Sequence, residues 1–382
     1  MIPYGRQDIR AEDEDAVLSV LRSDFLTQGP QVPAFERAVR EHVDAAHAVA
    51  MNSATSALHV ACLALGLGLG DVLWTTPITF VASANCARLC GADVDFVDIH
   101  PGTFNMDPAA LAEKLKMAER DGRLPKIVLP VAMCGQPCDL TAIRALANRY
   151  GFKIIHDASH AIGARYRGVP VGGEDWADIT VFSFHPVKIV TTAEGGMAVT
   201  QDAGLAAHMD LLRSHGVTRE PDLMEGEGHG PWYYQQVDLG PNYRLTDMQA
   251  ALGVAQMARL DEYVAARAER ADGYDADLAD LPLDRPERMP GAASAWHLYV
   301  IRLHDAARRR AVFDGLRADG IGVNVHYIPV HTQPYYRRLG FRDGDFPVAE
   351  NYYARAISIP LFATMTDAQQ EAVVGALKRQ ML

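Results

Sequence analysis

The sequence predicts an α/β protein in which a mostly parallel central sheet carries helices on both faces, followed by a smaller C-terminal α+β domain. Three observations carry that expectation. Between residues 48 and 199, short apolar runs alternate with stretches of helical length, the pattern of parallel strands joined by crossover helices. The boundaries carry capping chemistry: Asp107-Pro108 and Asp139 open helices, and Gly151 closes one. From about residue 281 the alternation gives way to strand, helix, strand and a last helix. The expected division is a large domain over 1–250 and a small one over 251–382.

In chain order, residues 11–22 form an amphipathic helix with Val17, Leu18 and Leu21 on its apolar face, and a second helix runs from Pro33 to Val43. Ala48–Met51 is a short strand leading into Asn52-Ser-Ala-Thr-Ser-Ala-Leu-His59. A strand that turns through small hydroxyl residues into a helix leaves backbone N–H groups free, a natural phosphate cradle; an ordinary Ser/Thr helix cap has the same look. Strands follow at Val72–Thr75, Val94–Ile99, Ile127–Val131 and Ile154–Asp157, with helices over Thr79–Cys90, Asp107–Ala118 and Asp139–Tyr150. Further strands span Ile179–Phe184 and Met197–Val199, and a helix covers Leu205–Ser214. Residues 217–240 are a long Gly- and Pro-rich loop, the kind that serves as a lid or subunit contact. Thr246 and Gln249 have capping-box spacing at the head of a helix expected to continue to about Ala271. Strands at Trp296–Leu303 and Gly322–Ile328, and helices at Ala307–Asp319 and Thr366–Arg379, complete the chain.

Composition narrows the class. With 382 residues, 49% apolar and 22% charged, the chain resembles an ordinary globular enzyme of two domains. No apolar run reaches membrane-spanning length and the N-terminus lacks a signal-peptide core, so a cytoplasmic protein without membrane contact is expected. A net charge of −12 argues against nucleic acid as a partner. The five cysteines, at 62, 86, 90, 134 and 138, are odd in number and lack a second cluster at zinc spacing, so neither a disulfide framework nor a metal site is expected.

Among six lysines, Lys188 is the exception. It falls in a short loop between the apolar runs Ile179–Phe184 and Met197–Val199, where an ammonium is costly to bury. Desolvation lowers a lysine pKa and makes its amine a nucleophile; the alternative is a side chain that reaches solvent. Parallel sheets collect ligands at the carboxyl ends of their strands, and the 52–56 turn, Phe80, Asp157 and Ser183 all lie at or just past such ends. Asp157 is either a helix cap or a carboxylate held against a protonated ring nitrogen.

Taken together, Asn52-Ser-Ala-Thr-Ser-Ala-Leu, Thr76-Pro-Ile-Thr-Phe80, Asp157-Ala-Ser-His160, Ser183 to Gly196 and Gly240-Pro-Asn-Tyr-Arg-Leu-Thr-Asp-Met-Gln249 resemble the sugar aminotransferases named after DegT and StrS. These are pyridoxal 5'-phosphate (PLP) enzymes of fold type I, and the resemblance covers almost the whole length. It implies that Lys188 is the catalytic Schiff-base lysine, that Asp157 pairs with the pyridine nitrogen and that His160 lies near the phenolic oxygen. It further implies that Phe80 stacks on the ring, that Ser183 and the amides of Ala54 and Thr55 hold the phosphate, and that Asn242 reaches it from a second subunit. A homodimer with shared sites follows. Dehydratase relatives carry His where this chain has Lys188.

Pro3-Tyr-Gly-Arg-Gln7, Leu26-Thr-Gln-Gly29, Pro231-Trp-Tyr-Tyr234 and Asn324-Val-His-Tyr-Ile-Pro329 resemble one branch of the family. It moves the amino group of glutamate to C4 of a UDP-4-keto-6-deoxy-N-acetylhexosamine on the pseudaminic acid route. By that resemblance Tyr4, Asp24, Phe25, Leu26, Thr27, His326 and Tyr327 line the sugar pocket beside Ala54, Ser183 and Asn242. For Tyr4 and His326 interface packing is the alternative. Other readings are a different 4-keto or 3-keto nucleotide sugar, or a PLP-binding regulator without catalysis.

Overall fold

The computed structural model of the protein describes residues 1–381. Its centre is a sheet of β1 (His47–Met51), β2 (Val72–Thr75), β3 (Asp93–Phe96), β4 (Ile127–Val128), β5 (Lys153–Asp157), β6 (Ile179–Ser183) and β7 (Gly196–Thr200). The strand order is β1-β7-β6-β5-β4-β2-β3. From β6 to β3 every pairing is parallel, and β7 is wedged antiparallel between β1 and β6. Around it pack α1 (Ala11–Leu21), α2 (Gln31–Val43), α3 (Ala54–Ala64), α4 (Ala82–Leu89), α5 (Pro108–Arg120), α6 (Leu140–Tyr150), α7 (Ala203–Arg213), α8 (Asp247–Met257) and the start of α9 (Leu260–Asp277).

The strands read as unbroken apolar runs because both faces are covered. In β6, all of Ile-Thr-Val-Phe-Ser is buried. Val181 joins the cluster built with α3, α4 and α7, while Phe182 joins the opposite one with α2, α5, α6 and α8. Each such side chain taken fully out of water contributes about 1.5–3 kcal/mol. The caps follow the sequence. Asp107 and Asp139 accept from the backbone N–H groups of Ala109 and Ala142, and Gly151 closes α6 at φ +83°. Thr246 and Gln249 form a full capping box on α8.

The C-terminal region builds a three-stranded antiparallel sheet from Leu283–Asp284, Tyr299–Leu303 and Ala356–Ile359. Helices Arg309–Ala318 and Asp367–Met381 and the end of α9 share its core. Arg267 of α9 is buried there. Its Nη1 donates to the carbonyl oxygens of Trp296, His297 and Leu361, tying this core to the segment that enters the site.

Four expectations need correction. The buried face of α1 is Asp13 and Val20, while Leu18 and Leu21 are exposed. Asp13 turns the helix: its carboxylate accepts from Arg259 Nη2 at 2.6 Å and Gln256 Nε2 at 2.9 Å, so the polar side chain faces α8. The helix expected from 247 to 271 breaks at Ala258 and Arg259, where the Arg259 guanidinium is drawn to Asp13 and the Tyr263 hydroxyl. Residues 322–328 do not form a strand; one bridge, Asn324 to Ser358, is all that pairs, because the segment bends into the cavity described below. The helix expected from Thr79 starts at Ala82, which leaves Phe80 in the preceding turn.

Candidate active site

The site assembles from strand ends. β1 runs through Asn52 into α3, whose cap is Ser53; its side chain accepts from Ser56 N–H at 3.1 Å. Ala57 N–H bonds to Ser53 O, which leaves the N–H groups of Ala54 and Thr55 without a partner among the described residues. Anions bind where such donors meet the positive end of a helix. β7 closes against this turn only because it starts with glycine: a Cβ on Gly196 would lie 2.3 Å from Ser53 O and 2.5 Å from Ala54 N. Gly196 is also the register partner of Ser183, so the strand that makes room for the turn brings the Ser183 hydroxyl beside it.

Asp157 ends β5, and only 4% of it is exposed. Its Oδ1 accepts from Ser159 N–H at 3.1 Å and its Oδ2 from Ser83 Oγ at 2.7 Å. No cation forms an ion pair with it among the described residues. A carboxylate buried with neutral donors alone is poised for a positively charged partner.

Lys188 lies in the loop between β6 and β7. That loop is pinned by Phe184 N–H to Gly195 O and by Thr192 N–H to Phe184 O, both 2.9 Å. Lys188 keeps part of its surface open to the cavity, yet burial lowers its pKa to about 8, opposed by the Asp157 carboxylate. Burial also holds His160 well below the usual imidazole range, reinforced by Lys188 and His326. Cys134 N–H donates to His160 Nδ1 at 3.3 Å, so the neutral ring carries its proton on Nε2, 3.3 Å from the Tyr327 hydroxyl. The His160 ring packs on His297, with centroids 4.4 Å apart. His326 is lowered to about 4 by burial and by Lys188, and its Nδ1 lies 2.7 Å from Ser358 Oγ.

These groups line one cavity of about 890 Å³ at the carboxyl ends of the strands. Of the residues expected from sequence, Tyr4, Ala54, Thr55, Phe80, Asp157, His160, Ser183, Lys188, His326 and Tyr327 all face it. Tyr4 and His326 form one wall, with ring centroids 5.4 Å apart. Asp24, Phe25, Leu26, Thr27 and Asn242 do not line it within one chain. Instead, Thr27 bridges Thr246, Asp247 N–H bonds to Leu26 O, Asn242 bridges Ser214, and Phe25, Leu26 and Asn242 are exposed. Sequence reasoning missed Thr79, Ser83, His297 and Gln249. Thr79 and Ser83 carried a signal, two hydroxyls spaced i, i+4 just past a parallel strand; His297 in an apolar run carried none.

A model of the DegT/DnrJ/EryC1/StrS aminotransferases matches residues 7–378. The chain belongs to the DegT/DnrJ/EryC1/StrS aminotransferase family. This aminotransferase is 37% identical over 383 residues to the spore coat polysaccharide biosynthesis protein SpsC of Bacillus subtilis (strain 168), with 99% of this chain and 96% of that one covered. Helicobacter pylori PseC, an aminotransferase involved in the biosynthesis of pseudoaminic acid, superposes with a TM-score of 0.91 at 32% identity, covering 100% of this chain and 99% of the other. Spr1654 from Streptococcus pneumoniae, in its PLP form, gives 0.89 at 28% identity, covering 99% and 98%. The family's enzymes are PLP-dependent sugar aminotransferases, and so is this one. A nucleotide sugar and an amino donor are its substrates.

The residues present fit PLP. The free N–H groups of α3 and the Ser183 hydroxyl suit a phosphate, Asp157 lacks the cation that a protonated ring nitrogen supplies, and Lys188 offers an amine of lowered pKa. Among the described residues no helix is long and apolar enough to cross a membrane, and no cluster of three or more His, Cys, Asp or Glu is placed to hold a metal ion.

Proposed function

We propose that this aminotransferase moves the amino group of glutamate to the C4 ketone of a UDP-4-keto-6-deoxy-N-acetylhexosamine, forming UDP-4-amino-4,6-dideoxy-N-acetyl-β-L-altrosamine on the pseudaminic acid route. The observation that carries this reading is the full-length likeness to Helicobacter pylori PseC. The wall of Tyr4, His326 and Tyr327 at the cavity supports it, since these residues belong to the stretches resembling that branch.

Bound PLP supplies a carbonyl that takes up the amino group and a ring that withdraws electrons from the carbon losing its proton. The chain supplies the rest. Ala54 and Thr55 N–H groups and the Ser183 hydroxyl would hold the phosphate, Phe80 would pack on the ring, and Asp157 would hold the proton of the ring nitrogen. His160, neutral, turns its Nε2–H toward the Tyr327 hydroxyl and would lie near the cofactor's phenolic oxygen. Lys188 anchors the cofactor through its amine. The same amine, with a pKa lowered to about 8 by burial, would serve as the base for proton transfer, since it can both take and give a proton near neutrality.

Asn242 of the partner subunit completes the phosphate site in a two-fold homodimer, and residues 24–27 are presented across the same boundary. The exposure of Phe25, Leu26, Trp232 and Leu239 supports that interface. A large domain over 1–250, a small one over 251–382 and a cytoplasmic location complete the reading. The test offers the purified holoenzyme glutamate with a panel of 4-keto and 3-keto UDP- and dTDP-sugars, following products by mass. Faster amination of a dTDP-3-keto sugar would overturn the substrate assignment. The likeness to SpsC favours another keto sugar as the second reading, and the same panel separates the two.

A further inference from the structure

We propose that Thr79 and Ser83 form a directional hydroxyl chain that keeps Asp157 ionised and thereby holds the proton on the cofactor's ring nitrogen. The inference rests on the reading of Asp157 as the partner of that nitrogen. Ser83 Oγ lies 2.7 Å from Asp157 Oδ2 and 2.7 Å from Thr79 Oγ1. An ionised carboxylate only accepts hydrogen bonds, so Ser83 gives its single proton to Asp157 and must accept from Thr79. The chain therefore has one sense, Thr79 to Ser83 to Asp157.

Burial makes this chain the carboxylate's main support on that side. Thr79 is 2% exposed, Ser83 1% and Asp157 4%, which leaves little room for water to replace a lost hydroxyl. The other oxygen has only the Ser159 N–H, and no cation pairs with the group among the described residues. Donors to the charged form of an acid favour that form, and a hydroxyl that itself accepts a hydrogen bond is a stronger donor. A proton shared between the ring nitrogen and Asp157 has two homes. Bonds that stabilise the carboxylate leave it on nitrogen, where it sustains the ring's electron withdrawal; without Ser83 the proton moves toward oxygen. Thr79 and Ser83 act through Asp157, so they are positioning residues.

The test loads the full-length protein with PLP labelled with nitrogen-15 in the ring and reads the ring nitrogen by NMR. In Ser83→Ala the signal moves from the pyridinium position toward the neutral pyridine position. Thr79→Val moves it the same way by less, and Ser83→Thr, which keeps a hydroxyl, stays at the wild-type position. Asp157→Asn is the reference for losing the ion pair and moves it furthest. If Asp157→Asn moves the signal and Ser83→Ala does not, the hydroxyl chain is overturned while the Asp157 reading stands. If Asp157→Asn leaves the signal in place, the Asp157 reading falls and takes the inference with it. Should Ser83→Ala fail to fold, Thr79→Val carries the decision: a shift supports the chain and none overturns it.

Discussion

Gly196→Ala tests the phosphate cradle without removing any polar group. The added methyl would lie 2.3 Å from Ser53 O, 2.4 Å from Ser53 C and 2.5 Å from Ala54 N, all backbone atoms. Ordinary contact begins at 3.4 Å, so β7 and the head of α3 must part by about 1 Å. Overpacking of this kind costs about 1–3 kcal/mol of stability. A shift that large also breaks the geometry of at least one N–H aimed at the phosphate. A hydrogen bond to a charged group contributes about 1.5–3 kcal/mol, so PLP affinity should fall about 10- to 150-fold. The assay titrates apoprotein with PLP by visible absorbance, beside urea unfolding to show that the variant is folded. A folded Gly196→Ala protein with wild-type PLP affinity would refute the assignment of the cradle to Ala54 and Thr55.

Lys188→Ala is expected to abolish turnover while retaining part of the cofactor affinity, and borohydride reduction of the wild type should leave a pyridoxyl label on Lys188 in peptide maps; a label on another lysine contradicts the site. The Lys188 pKa is near 8 in the folded protein against 10.5 as the ordinary value. Between those values the unfolded chain holds a proton that the folded apoprotein lacks, so its contribution to stability rises with pH across that window. Apo Lys188→Met should lack that rise, and identical pH profiles for the two proteins would count against a desolvated amine. Asp13→Ala strands the Arg259 guanidinium at the α1–α8 contact and should cost about 3 kcal/mol in urea unfolding; a loss below 1 kcal/mol would show that water replaces the carboxylate. Subunit exchange between Lys188→Ala and Asn242→Ala homodimers should restore activity toward one working site per heterodimer, and no recovery despite confirmed exchange removes the shared site.

The parts of the fold legible in the sequence are those decided locally. β6 is a continuous apolar run because it is buried on both faces, and its bracketed loop singles out Lys188 among six lysines. Asp107, Asp139 and Thr246 announce helix starts because each cap acts within three residues. What escaped depends on distant partners. The face of α1 follows Asp13, whose partner Arg259 is 246 residues away, and apolar periodicity does not register a buried carboxylate. Ser83 is one hydroxyl among many until Asp157, 74 residues later, lies against it. Residues 322–328 have the β-branched composition of a strand, yet the cavity needs the His326 and Tyr327 side chains more than the sheet needs another edge.

The wedged strand β7 also sets a timetable for synthesis. β1 finds its partner only when residues 196–200 exist, since His47 pairs with Thr200 and Met51 with Gly196. The turn that follows β1 is therefore held in shape by chain made some 145 residues later, and the lysine loop lies just ahead of that late strand. Contacts so far apart in sequence form slowly. A nascent chain that has released only its first 190 residues has β2 to β6 available to pair but no finished cradle, so PLP in the cell should meet a binding site only after β7 has taken its place between β1 and β6. Vitamin supply should then act on the yield of mature enzyme at the last stage of folding, and a chain truncated before residue 196 should gain nothing from added cofactor.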